Sequence, residues 1–169
     1  MKTSILCFYF IIGIFILIQS CVDHQLSAPG PDSHTDAALY DEMKDNEGYV
    51  YYANGSTLSA ASASPHGSFK LRFNDIASQA LDNSGELPSG QKFPPGSILV
   101  KEVYKGSDLY IYAVIKKAPS DASSANGWLW AEYLPDGSLG YSINGKGSSC
   151  TSCHSETPNR DLVRTFDLH

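Results

Sequence analysis

Near the C-terminus, two cysteines separated by two residues are followed directly by a histidine, in the sequence Cys150-Thr151-Ser152-Cys153-His154. Cys-x-x-Cys-His is the attachment signature of a c-type haem. The chemistry accounts for the spacing, because each thiol adds across one haem vinyl group and the following imidazole then binds the iron. The sequence therefore predicts one covalent haem c, with Cys150 and Cys153 as the thioether partners and His154 as the axial ligand.

Three other chemistries use a pair of cysteines at this spacing: a redox dithiol, half of a zinc site and a disulfide. A zinc site needs a second Cys or His pair, and none follows this one in the sequence. A thioredoxin-like dithiol belongs to a βαβ pattern, which the chain does not show. The haem interpretation is favoured, and the three others remain as alternatives.

The N-terminus has the pattern of an export signal. Lys2 precedes an apolar run from Ile5 to Ile18, which is shorter than the roughly 20 residues that span a bilayer. The run ends in Leu17-Ile18-Gln19-Ser20-Cys21, which resembles a bacterial lipoprotein cleavage box. That resemblance implies removal of residues 1–20 and lipidation of Cys21. An ordinary signal peptide cut elsewhere and an uncleaved signal anchor are the alternatives.

Export and haem attachment indicate the same compartment, because haem is added to this motif on the outer face of the bacterial inner membrane. We expect a protein on the periplasmic side, held to a bacterial membrane by the acyl chains on Cys21. Cys7 leaves with the signal, so no thiol is left for a disulfide.

Composition limits the class of partner. The net charge is −6 and there is no run of basic residues, so we do not expect nucleic-acid binding. Residues 21–36 are polar around Pro29-Gly30-Pro31 and predict a flexible tether, which leaves residues 37–169 as one haem domain. Tyrosine is abundant, and Gly and Ser interrupt short apolar runs, a texture that favours sheet over a helix bundle.

The predicted elements lead directly to the haem motif. A short helix is predicted over Asp36–Lys44, capped by Asp36, and Ser56–Ser64 is predicted to be a loop. A second short helix, Ile76–Leu81, is predicted after an Asn74 cap. The strand candidates are Tyr49–Tyr52, Phe69–Phe73, Ile98–Tyr104, Leu109–Lys116, Trp128–Leu134 and Ser138–Ile143. We predict an α+β fold, with an antiparallel meander of about four or five strands and a few short helices around the haem. The amphipathic tail Asp161–Phe166 is expected to close over the haem edge.

The second axial position decides much of what a haem protein does. Electron carriers usually fill it with methionine or a second histidine, and only Met43 and His66 are plausible here, the other histidines lying in the tether or at the C-terminus. The sequence favours an iron whose second axial position is open and binds a small molecule; a six-coordinate electron carrier is the alternative.

Lys101 lies in a strand with two mostly apolar faces. It either extends from an edge strand to solvent or holds its amine at the haem edge.

Several segments resemble the cytochrome P-460 family and its cytochrome c-prime-beta relatives, over about residues 40–169. In the family's order, the segments are His66-Gly67, Phe69–Phe73 with Asn74-Asp75-Ile76-Ala77, Phe93–Glu102, Trp128–Tyr133 and Cys150–His154. The resemblance implies that Lys101, in a Val-Lys-Glu motif, is bonded covalently to the macrocycle. It also implies oxidation of hydroxylamine or nitric oxide at a five-coordinate iron, with electrons passed to an acceptor.

The same resemblance carries further expectations. The c-prime-beta relatives bind nitric oxide or carbon monoxide without turnover, and family members are often homodimers. A distal arginine of the family corresponds to Arg72, and the distal-wall candidates are Phe69, Phe73, Trp128 and Trp130. The more active enzymes place a carboxylate shortly before the haem motif; the corresponding stretch, residues 146–149, contains none, so efficient proton transfer is not expected.

Overall fold

One antiparallel sheet flanked by short helices makes up the fold, in a computed structural model that describes residues 33–61 and 64–168. The predictions for the signal peptide, for Cys21 and for most of the tether lie outside the described residues. Within that described part, no helix is both long enough and apolar enough to cross a bilayer.

Seven strands form the sheet within the described residues. They are β1 Tyr49–Tyr51, β2 Leu58–Ser59, β3 Ser68–Asn74, β4 Ile98–Lys105, β5 Asp108–Lys117, β6 Trp128–Tyr133 and β7 Leu139–Tyr141. β3 to β7 are neighbours in chain order, while β1 and β2 both pair with the free edge of β3. The predicted α+β fold and meander are confirmed. The sheet has more strands than expected. β2 lies in a segment that the sequence predicts to be a loop, because two residues are too few to show strand alternation.

The described α-helices are α1 Asp36–Met43, α2 Asp75–Ser78 and α3 Thr151–His154. Asn74 caps α2 as predicted, since its Oδ1 accepts a hydrogen bond from the Ala77 amide at 3.0 Å. Thr35, and not Asp36, caps α1. The carboxylate of Asp36 instead accepts hydrogen bonds from the Ile143 amide and the Ser142 hydroxyl, which fixes α1 to the segment after β7.

The two faces of the sheet are covered by different parts of the chain. Cross-strand register places Leu71, Lys101, Ala113 and Glu132 side by side in one row, and we call the face that carries this row the motif face. The C-terminal segment packs against the motif face, as the contacts of Phe166 with Phe73 illustrate. Helix α1 covers the opposite face, where the core includes Leu39, Met43, Val100, Val114 and Leu129.

Candidate haem site

Helix α3 sets the two motif cysteines on one side of the chain. Its first turn is closed by the Thr151 amide bonding to the Gly147 carbonyl and by the His154 amide bonding to the Cys150 carbonyl, at 2.9 and 3.1 Å. Residues three apart share one face of a helix, so Cys150 and Cys153 point the same way. Both thiols are free and both line one cavity.

His154 is oriented as a metal-binding histidine. Its Nδ1 lies 2.8 Å from the carbonyl oxygen of Leu162. Because a carbonyl only accepts, Nδ1 carries the proton and Nε2 keeps its lone pair. Ligating histidines typically make this second hydrogen bond, which fixes both tautomer and ring orientation. The ring also packs edge-on against Trp130 at a centroid separation of 4.9 Å, and burial lowers the pKa of His154, which favours the neutral form.

The thiols and the imidazole open onto a cavity of about 510 Å³ between the motif face and the C-terminal segment. That volume lies within the range of cofactor sites. Apolar walls are supplied by residues such as Phe69, Leu71, Leu99 and Trp130. The tail predicted to close over the haem runs along this cavity. It is held there by Asp161, whose carboxylate pairs with Lys117 at 2.8 Å and accepts from the Phe93 amide.

Two features of the cavity fit a haem c. They are the side chains that could bind it and one buried hydrogen-bond donor without a partner among the described residues. Cys150 and Cys153 offer the attachment thiols, and His154 offers the iron ligand. Arg164 lines the cavity and donates through Nη1 to the Cys153 carbonyl and to Glu156, yet its buried Nε has no partner among the described residues. Buried donors are normally satisfied, and an anionic group such as a haem carboxylate would satisfy this one.

The redox-dithiol alternative fits less well. Reactive dithiols have a depressed thiol pKa, whereas burial raises the pKa of Cys150 to about 11. Cys150 is partly buried against the apolar cluster of the motif face, as expected for a thiol that serves as an attachment point.

Lys101 points into the cavity. Its Nζ lies 4.1 Å from the centroid of the Phe69 ring. Burial lowers the pKa of Lys101 to about 8, so a sizeable fraction of the amine is neutral and nucleophilic at mildly alkaline pH. Lys101 is therefore not a lysine that snorkels to solvent, and of the two interpretations left open by the sequence, the structure agrees with the amine inside the site.

Glu132 is a site residue that the sequence reasoning missed. It lies on the motif face in the same row as Lys101, with Ala113 between them, and it lines the cavity. Burial raises the pKa of its carboxyl group. The family resemblance predicts such an acid just before the haem motif, whereas Glu132 lies on β6. The available signal was the alternation of Trp128, Trp130 and Glu132, which places all three side chains on one face of the strand.

Residues 46–165 match the sequence model of cytochrome P460. The chain belongs to the cytochrome P460 family. A search of curated proteins found no match for it. The matched range contains all the cavity residues discussed above, from Phe69 to Arg164. Membership in the cytochrome P460 family supports a haem protein, in agreement with the donor set of the cavity.

Arg72 is not a distal residue of this cytochrome P460 domain. Its neighbour Leu71 faces the cavity, so alternation turns Arg72 to the opposite face of the sheet. There it is fully buried, and its Nε donates to Glu102 at 3.0 Å while Nη2 donates to the Met43 carbonyl at 2.6 Å. The guanidinium also stacks on Tyr49, 4.4 Å from the ring centroid. Arg72 therefore holds α1 on the sheet, and the arginine that lines the cavity is Arg164.

The two candidate iron ligands of this cytochrome P460 domain are separated by the sheet. Met43 is completely buried on the α1 side, packed with Leu39 and Val100, and does not line the cavity. His66 does line it. Of the four predicted wall residues, Phe69 and Trp130 line the cavity. Phe73 and Trp128 lie in the core cluster behind it.

Proposed function

We propose that the protein is an exported mono-haem cytochrome c that oxidises a small nitrogen compound, such as hydroxylamine or nitric oxide, inside this cavity. The observation that carries the proposal is the row on the motif face: an amine, Lys101, and a carboxylate, Glu132, line the same cavity as the Cys-x-x-Cys-His motif. Perturbed ionisable groups that converge in one concave site are typical of catalytic centres.

The haem, when bound, supplies the electron-transfer chemistry. The chain supplies the rest. Apolar walls around Phe69, Leu71 and Leu99 exclude bulk water and admit a small uncharged molecule. Oxidation of hydroxylamine releases protons together with electrons, so a base inside the cavity is required. Glu132 fits that role, because a carboxyl whose pKa is raised by burial is a stronger base than an ordinary glutamate.

A membrane-tethered location follows from the sequence features of the N-terminus. We propose that residues 1–20 are removed, that Cys21 is acylated, and that the polar tether holds the haem domain on the periplasmic side of the membrane. A soluble or membrane-bound redox protein in the same compartment would then take up the electrons.

Turnover distinguishes an enzyme that oxidises hydroxylamine from a gas-binding cytochrome. The gas-binding cytochrome is the alternative function, and the apolar cavity walls are compatible with it. Holoprotein mixed with hydroxylamine and a redox dye should reduce many equivalents of dye per haem. The loss of dye absorbance, recorded by stopped-flow spectroscopy, measures this turnover. A gas binder would leave the dye oxidised in this mixture and, in a separate titration with nitric oxide, would take up one ligand per haem; that result would contradict the enzymatic proposal. Protein with both motif cysteines replaced gives the dye-only background.

We propose that Lys101 carries a third covalent bond to the haem, formed when the amine and a macrocycle carbon each lose one hydrogen to an added two-electron oxidant such as a peroxide. In a tryptic digest of the holoprotein, the haem should therefore carry two peptides, one with Lys101 and one with Cys150 to His154, and intact-mass measurement of the haem fragment detects both. Lys101→Ala should leave only the cysteine peptide. Lys70→Ala is the matched control, because Lys70 lies two residues from Arg72 on the face away from the cavity. A wild-type fragment with the mass of haem and the cysteine peptide alone would contradict the cross-link.

A further inference from the structure

His66 lies in the cavity and has no role in the scheme above. It lies on the loop before β3, where the Ala60 amide bonds to the Gly67 carbonyl at 3.0 Å and the His66 amide bonds to the Ser64 hydroxyl at 3.2 Å. These two bonds fix the backbone on either side of His66. None of the described residues donates to or accepts from its ring, which leaves the imidazole nitrogens available for a ligand.

The distance between His66 and His154 has the value expected for two ligands of one metal ion. Their ring centroids are 6.5 Å apart, with 73° between the ring planes. Two imidazoles that bind a metal from opposite sides, through bonds of about 2.0 Å, hold their ring centres about 6 Å apart.

We propose that His66 binds the iron opposite His154 in the resting protein and is displaced by the small ligand. The inference deepens the proposed function and depends on it, because it describes the state from which the open site is reached. The two ligands differ in how they are held. His154 directly follows Cys153 at the end of α3 and is tied to Leu162, whereas the His66 side chain has no such hydrogen bond among the described residues. Displacement is therefore expected on the His66 side.

The spin state of the ferric holoprotein tests the assignment. Wild-type protein should give a low-spin electron paramagnetic resonance spectrum, and His66→Leu should convert it to high spin. In His66→Gly, added imidazole should restore the low-spin spectrum, which shows that the variant is folded. His34→Leu is the matched control, because His34 bonds to Asp121 and does not line the cavity, so its spectrum should equal that of the wild type.

Carbon monoxide binding to the ferrous holoprotein provides a second readout. If the His66-bound form accounts for nine in ten molecules or more, His66→Leu should raise the apparent affinity about tenfold or more, because a blocked site reduces affinity by its competent fraction. The wild-type association rate should level off at high carbon monoxide, limited by departure of His66, while the rate of His66→Leu should increase linearly.

The possible failures are distinguishable. High-spin wild-type protein, with unchanged carbon monoxide affinity in His66→Leu, would overturn the His66 assignment and leave the proposed function intact. Low-spin iron that persists in His66→Leu would also overturn it, because another group would then be the ligand. If, in addition, neither protein bound carbon monoxide or oxidised hydroxylamine, the proposed function itself would fail, and a permanently six-coordinate electron carrier would remain.

Discussion

The double substitution Cys150→Ser with Cys153→Ser is expected to yield a protein without covalently attached haem. Thioether bonds need the sulfur atoms, and the two thiols that line the cavity are the proposed attachment points. Haem staining of a denaturing gel should lose the whole signal, whereas each single substitution should retain one thioether bond and a weaker stain. The effect is expected to be all or none, the largest that any substitution in this chain should produce.

Cys21→Ser is the control for this experiment. It should keep the haem stain, because Cys21 lies outside the matched haem domain, while the protein moves from the membrane fraction to the soluble fraction. Persistent covalent haem in the double variant would show that the porphyrin is attached elsewhere. Loss of the stain from Cys21→Ser would show that export, and not the motif chemistry, limits haem attachment.

Glu132→Gln is expected to lower the turnover of hydroxylamine by about 10²- to 10⁴-fold, the usual contribution of a general base. The amide has nearly the same shape but cannot accept the proton. The pH profile should change in the same variant. Only the ionised carboxylate acts as a base, so wild-type turnover should fall as the pH decreases through the pKa of Glu132, above the ordinary 4.5 of a glutamate. This acidic limb should be absent in Glu132→Gln.

Glu156→Gln is the matched control, since Glu156 also lines the cavity but is largely exposed and paired with Arg164. It should retain most of the activity and the acidic limb. Haem content and carbon monoxide affinity, measured for both variants, separate a proton-transfer defect from a damaged site. Full turnover and an unchanged pH profile in Glu132→Gln would rule out Glu132 as the base, and a loss confined to Glu156→Gln would transfer that role to Glu156.

The parts of the fold that the sequence predicted are those in which local pattern is strong. The meander from β3 to β7 follows from alternation and turn residues. The Cys-x-x-Cys-His motif predicts haem attachment from its residue types and their spacing alone. The site residues that were misassigned depend on cross-strand register. Leu71 is paired with Lys101, and this pairing turns Arg72 away from the cavity. A one-residue shift would reverse both, and nothing local in Phe69–Phe73 fixes it.

The cavity itself could not be predicted, because its walls are brought together by tertiary contacts. Glu132 and Lys101 are separated by one strand of the sheet, and His66 reaches them from a loop with no periodicity. The sequence offered both candidate iron ligands, Met43 and His66, on equal terms. Only the packing of α1 on the far side of the sheet removes Met43 from the choice.

The hydrogen bond from His154 to Leu162 also bears on the reduction potential of the iron. An imidazole that donates to an oxygen acquires partial anionic character and favours the ferric state, more strongly when the acceptor is a carboxylate than when it is a neutral amide. Here the acceptor is a backbone carbonyl, so the electronic push is mild. Leu162 directly follows Asp161, whose carboxylate is paired with Lys117, so we expect this ion pair to help hold that carbonyl in place. We therefore expect loss of this salt bridge to change the reduction potential of a haem bound through His154.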